Sequence, residues 1–341
     1  MNVWGSVERG VTVIVCTHNG ATNLVQTLRH LAGQRMPNDL PWQLIVVDNA
    51  STDETTLVVQ REWNKLGNPV TLVCLREERP GKYFALQTAI SVAKYAYFVI
   101  CDDDNWLAPN YLEKVAGLLD SYPQVGAVGG RGIPVTEDNQ SLPNWFDKYQ
   151  EGYAVGPQGK KSGDVTHKGH LWGAGLGSRT ELYRALYLRY PSFLLMLNDP
   201  DMMSTEDSEY CLRLVLRGFR LYYDETMVYQ HFIPAKKLTE SFIKHLYNRH
   251  YKSYTVNGVY FLVLKAFKSG RISKIRLWSI RFSGHFRGLF AFSYKSKVKA
   301  RTKGRFLRAR GENMDRVGQG VVSLMVDDRL PTPPMRPSNV S

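Results

Sequence analysis

The run CDDDNW at 101–106 sets three carboxylates directly after the apolar run YAYFVI. Like charges at that spacing raise one another's pKa and repel, so the run needs a compensating charge. If the strand pattern carries through it, alternate side chains share a face, which points Asp102 and Asp104 one way and Asp103 the other. A divalent cation, Mn2+ or Mg2+, would compensate them, because such ions take few carboxylates together with phosphate oxygens and water. The other reading is a solvated acidic turn that caps the next helix. Asn105 is read as a cap or support of that loop.

More candidates follow from residue type and place. Asp48 ends the apolar run LIVV, where a carboxylate can accept from a ribose hydroxyl or a base N–H. Asp53 either does the same or caps the helix that starts near Glu54. Thr17, His18, Asn19 and Gly20 make a short polar turn that either touches a nucleotide or is ordinary turn chemistry. Lys82 begins a helix, where a cation opposes the dipole; an anionic partner such as a diphosphate would explain it, and so would a solvated lysine. Glu206 and Asp207 open another helix, where acids are favoured by the dipole alone. Adjacent helical positions point about 100° apart, so the two have different jobs, and one of them could act as a general base. His231 ends the run MVYQH and is either a metal ligand or a half-buried histidine with a backbone partner.

Positioning these groups requires strands. VTVIVC (11–16), LIVVDNA (44–50), VTLVCLR (70–76), YFVICDDD (97–104) and VGAVGGRG (125–132) are continuous apolar or Gly-rich runs of the kind buried on both faces. Helical spacing separates them, in LVQTLRHLAG, GKYFALQTAISVAKYA and PNYLEKVAGLLDSY. That alternation means βαβ units and a mainly parallel central sheet flanked by helices. Ligands bind such sheets at the carboxyl ends of the strands, where THN, DNASTD and CDDD all fall. TEDSEYCLRLVLRGF (205–219) is a further helix with Thr205 at its N-cap and Gly218 closing it.

The 341 residues are 43% hydrophobic, enough for one large core with an appended module. Four scattered cysteines without a C-x-x-C pair read as buried thiols in a reducing compartment. No h-region of signal-peptide length and no apolar run of about 18 residues occur, so a cytoplasmic location is expected. Charge is uneven. Lys236–Arg310 holds twenty Lys/Arg against one acid, Glu240, so of the overall +13 this stretch carries +19 and the remainder −6. The expected organisation is a catalytic body at 1–236, a basic amphipathic helical region at 237–310, and a Pro-rich, disordered tail at 311–341.

Four segments in order resemble the family 2 glycosyltransferases of GT-A fold: VTVIVCTHNGATNLVQTLRHL, VVDNASTD, ICDDDNWLAPNYLEKV and STEDSEYCLRLVLRGFRLYYDETMVYQH. The resemblance covers about residues 11 to 235. It implies inverting transfer from a nucleoside-diphosphate sugar, UDP in the first instance, to a hydroxyl of a saccharide or lipid-linked acceptor in cell-surface polysaccharide synthesis. Asp207 would be the base. Thr17, Asn19, Asp48, Lys82, Asp102 and Asp103 would face the donor, and Trp172, Gly173 and Glu206 the acceptor. Asp104 and His231 would hold Mn2+ or Mg2+. Trp172 has an alternative reading as a core residue of a tight turn. His18 stands where the family has an aromatic residue, Asn49 where it has an acid, and Ala85-Leu86-Gln87 where it often has Ala-Arg-Asn.

For the basic stretch three readings stand: an anionic membrane surface, with Trp278, Phe282, Phe286 and Phe290 turned inward; packing on the body; and nucleic acid, which the acidic body disfavours. A membrane surface is preferred because it would bring the enzyme to lipid-linked acceptors. Two rivals to a glycosyltransferase are a nucleotidyltransferase, for which the chain lacks a Gly-rich phosphate loop near its start, and a basic binding protein with vestigial acids.

Overall fold

The computed structural model describes residues 7–197, 205–268 and 311–334. Within them the strands β1 (Glu8–Thr17), β2 (Trp42–Asn49), β3 (Leu72–Glu77), β4 (Tyr95–Asp102), β5 (Asn105–Leu107), β6 (Val125–Thr136), β7 (Gly163–Asp164), β8 (Gly177–Arg179) and β9 (Arg220–Ile233) form one sheet. Its order is β3-β2-β1-β4-β8-β6-β9-β5, with β7 against β9. The helices are α1 (Leu24–Ala32), α2 (Thr55–Lys65), α3 (Lys82–Val92), α4 (Tyr111–Ser121), the single turn α5 (Phe146–Tyr149), α6 (Thr180–Arg189), α7 (Glu206–Leu216), α8 (Glu240–Lys268) and α9 (Gly311–Val326).

The apolar runs are continuous because both faces of the sheet are covered. Val11, Val13 and Val15 of β1 pack with Leu24, Leu28 and Leu31 of α1 on one side. Ile14 packs on the other side, with Ala85, Leu86 and Ala89 of α3. Parallel pairing joins β1 to β2 and β4, and β2 to β3. It sets Thr17 beside Asp48 and Cys16 beside Asp102, so the three polar strand ends share one rim.

The far half of the sheet is mixed. β6 and β9 are parallel, while β8 runs antiparallel between β4 and β6. At three residues β8 is too short to show strand periodicity. The glycines of β6 reflect close packing: a Cβ on Gly130 would stand 2.0 Å from the Met227 carbonyl oxygen. Antiparallel pairing of β5 with β9 sets Asn105 opposite His231.

α8 is built into the main core through Val256, Val259, Tyr260 and Val263, so residues 240–268 follow the body-packing reading of the basic stretch; residues 269–310 lie outside those described. One expectation about the C-terminal third needs revision: the tail expected to be disordered from 311 forms α9, which buries Val317, Val321 and Leu324. Their spacing of four and three is helical, a signal masked by the prolines that follow. Arg217, just past α7, locks this segment. Its guanidinium donates to the carbonyls of Leu324 (3.4 Å), Met325 (2.6 Å), Leu330 (2.7 Å) and Pro331 (3.3 Å), which satisfies groups the end of α9 leaves open.

Replacing Arg217 with Met should therefore cost about 2–4 kcal/mol, the range for stranding buried acceptors. It should free 311–334 for cleavage. Limited proteolysis and a thermal melt check this; unchanged protection of the segment would refute it.

Candidate active site

The rim is first a scaffold. Asn19 holds a left-handed backbone, φ 53°, and stitches two turns together: its N–H donates to Ser51 Oγ at 2.9 Å, and its Oδ1 accepts from the Thr52 N–H at 2.8 Å. Asp48 accepts from the Ser51 N–H, the Thr56 hydroxyl and the Arg76 guanidinium, each at 2.9 Å. Burial alone would raise the Asp48 pKa; those donors hold it below the ordinary carboxylate value. Asp53, just ahead of α2, accepts from the N–H and hydroxyl of Thr55 and from the Ala21 N–H.

Asn49 explains its own departure from the family's acid. Its amide donates to the Glu77 and Arg79 carbonyls at 3.1 and 2.7 Å, and its oxygen accepts from the Gly81 N–H at 2.7 Å. A carboxylate could not donate the first two. Asn49 thus shapes the loop that ends at Gly81, whose φ of 127° few other residues adopt, and that delivers Lys82.

Strand alternation ends at Asp102, because Asp103 and Asp104 lie in a turn. The expectation that Asp102 and Asp104 share a direction is therefore replaced by three separate partners. Asp102 pairs with the Lys82 ammonium. Asp103 accepts from the Thr17 hydroxyl at 2.5 Å, and burial followed by the Asp104 charge pushes its pKa up to about 6. Asp104 meets His231 Nε2 at 3.4 Å and Lys237 Nζ at 3.1 Å. Burial works against its charge, yet His231 and Lys237 hold its pKa far below the usual range.

The groups expected to face donor and acceptor converge on Lys82. Its Nζ, already on Asp102, stands 3.8 Å from Glu206 Oε1. Burial pushes the Glu206 pKa up to about 7, with Lys82 opposing and Asp207 reinforcing the shift. The Lys82 pKa rises because Asp102 and Glu206 outweigh burial. Asp207 is oriented by main-chain donors, the Gly173 N–H at 2.7 Å and the Ser208 N–H at 2.6 Å. The Trp172 indole is buried in the core, so the 172–175 loop offers Asp207 the Gly173 amide, and Trp172 follows its core reading.

A divalent ion can be tested against these groups. Asp104 and His231 offer a carboxylate and an imidazole side by side, and His231 Nδ1 is buried without a partner. Among the described residues no third His, Cys, Asp or Glu joins them. Two side-chain donors fit an ion that takes its other ligands from diphosphate and water. Sequence reading missed Lys237, counted only within the basic stretch, although it lies six residues beyond His231. It also missed His250 of α8. Burial lowers the His250 pKa, and the nearby Asp207 charge opposes that shift.

Comparisons with known proteins give the family and the fold. The model of the family "Glycosyl transferase family 2" matches residues 12–184, and the chain belongs to that family. It is 28% identical over 138 residues to the poly(ribitol-phosphate) beta-N-acetylglucosaminyltransferase TarS of Staphylococcus aureus, covering 39% of this chain and 24% of that protein. The chain thus spans about a quarter of that relative's length. The crystal structure of TarS superposes with a TM-score of 0.52 at 16% identity, over 91% of this chain and 55% of that one. The mannosyltransferase PcManGT of Pyrobaculum calidifontis, solved with GDP-Man and Mn2+, gives 0.50 at 20% identity, over 95% and 91%. The fold is GT-A.

Between the ordinary glutamate value of 4.5 and about 7, folded Glu206 keeps a proton that the unfolded chain has lost, so stability falls as pH rises through that window. Glu206→Gln should remove this share of the slope, gaining on the wild type at pH 8 relative to pH 4. Denaturant titrations across that range measure it, and parallel curves would refute it.

Proposed function

We propose that the chain is an inverting glycosyltransferase. It would move a sugar from a nucleoside-diphosphate sugar, UDP in the first instance, to a hydroxyl of a saccharide or lipid-linked saccharide in cell-surface polysaccharide synthesis. The observation that carries this reading is Lys82, which bridges Asp102 on the donor side and Glu206, next to Asp207, on the acceptor side. The TarS resemblance supports a cell-surface polymer as the acceptor class.

In this reading Asp207 accepts the acceptor's proton as that oxygen attacks the anomeric carbon. The bond from the sugar to the diphosphate breaks on the opposite face. Gly173 and Ser208 fix the carboxylate beforehand, so no reorganisation is needed as charge develops. Lys82 is placed to stabilise the departing diphosphate. Asp104 and His231 would hold Mn2+ or Mg2+, which when bound neutralises diphosphate charge as a Lewis acid. Thr17 supports the donor site through Asp103, Asn19 through the turns it joins, and Asp48 would face the nucleoside.

A panel of UDP-sugars, with GDP-mannose included, and Mn2+ tests the donor through release of nucleoside diphosphate. Silence across the panel would count against an enzyme. Asp207→Asn should lower transfer by about 10²–10⁴-fold, the usual worth of a general base, and leave donor affinity unchanged. Equal loss of affinity in calorimetry would remove Asp207 from that role.

The same reading puts the protein on the cytoplasmic face of a membrane, supported by the +19 stretch from Lys236 to Arg310. Co-sedimentation with vesicles containing anionic lipid should exceed that with neutral vesicles and fall with salt. Equal binding to both vesicle types would refute it.

A further inference from the structure

Lys237 has no counterpart in the roles described so far. Its ammonium donates to one oxygen of Asp104 at 3.1 Å while His231 Nε2 stands 3.4 Å from the other, so the buried carboxylate is held on both sides. The backbone there is pinned. The Tyr153 hydroxyl donates to the Lys237 carbonyl at 2.6 Å, the Lys237 N–H donates to the Pro234 carbonyl at 2.8 Å, and the Ala235 N–H donates to the Glu137 carboxylate at 3.1 Å. The side chain itself is 33% exposed. Nζ can therefore leave Asp104 while Cα stays in place.

The carboxylate best placed to hold a divalent ion is thus already neutralised by a tethered cation. An ammonium and a metal ion in contact with one buried carboxylate repel each other strongly. We propose that Lys237 is a resident competitor for the metal position: it occupies Asp104 in the donor-free protein and shifts to the diphosphate when ion and nucleotide arrive together. The inference rests on the reading of Asp104 and His231 as the metal pair.

Two properties follow. The ion alone binds weakly, because displaced Lys237 has no new partner. Nucleotide and ion bind cooperatively, because the diphosphate supplies that partner. The device makes loading of the site conditional on a donor and keeps Asp104 compensated before the donor comes.

The experiment measures Mn2+ binding by electron paramagnetic resonance, with MnCl2 alone and with UDP added. It compares the wild type with Lys237→Met, Lys237→Gln, Lys236→Met and Asp104→Asn. Removing the charge at 237 should tighten binding of Mn2+ alone on the order of tenfold or more. It should also shrink, by a similar factor, the gain that UDP confers. Lys236, which is exposed and adjacent in sequence, controls for net charge and should change neither quantity. Asp104→Asn should abolish the site in every background. Unchanged or weaker binding of Mn2+ alone in Lys237→Met overturns the competitor role. Lys237→Gln, which keeps a polar contact to Asp104, decides the matter if the Met variant melts early. Absence of Mn2+ binding in the wild type and both Lys237 variants, even with UDP, overturns the metal reading and this inference with it, an outcome distinct from failure of the competition alone.

Discussion

Five carboxylates crowd one rim: Asp102, Asp103 and Asp104 from the turn after β4, and Glu206 and Asp207 from the start of α7. Without compensation such a cluster would open the fold or take up protons. Two ammonium groups from distant parts of the chain answer this. Lys82 reaches Asp102 and Glu206 from the start of α3, and Lys237 reaches Asp104 from the connection between β9 and α8. Their placement dictates much else. Asn49 exists to shape the loop before Lys82, and Tyr153 pins the backbone that carries Lys237.

The helix that bears the acids is itself anchored by a buried ion pair. Glu209 and Arg213, one turn apart on α7, meet at 3.0 Å with both side chains fully buried. Such a pair adds stability only if every remaining donor and acceptor is satisfied. Here Glu209 also accepts from the Ser192 hydroxyl, the Phe193 N–H and the Tyr260 hydroxyl. Arg213 also donates to the carbonyls of Leu186, Tyr190 and Pro191. The network ties α6, the segment after it and α8 to α7, so Asp207 sits on a helix held from several sides.

What could be read from the chain alone was whatever local periodicity encodes. Apolar runs ending in polar residues announced the parallel strands and the rim. Four ordered segments carried the family. Pairings set by tertiary contact were not legible. Alternation along CDDD predicted directions that a turn at Asp103 cancels. Nothing local marks Asn49 as a loop holder, because its three partners lie 28 to 32 residues away. Trp172 looked equally suited to a sugar and to a core. α9 was hidden because its apolar positions gain meaning only with the surface that covers them and with Arg217, about a hundred residues earlier in the chain.

That anchorage changes the topology of the most basic part of the protein. Residues 269–310 carry thirteen Lys/Arg and no acid. They join the end of α8 to the start of α9, and both helices share the main core. The stretch is therefore tethered to the body at both ends, and the effective concentration of its charge at any surface the body approaches is set by the length of chain between them. One of these ends traces back through α9 and Arg217 to α7, whose first turn carries the proposed base, so the tether of the basic stretch and Asp207 share one framework.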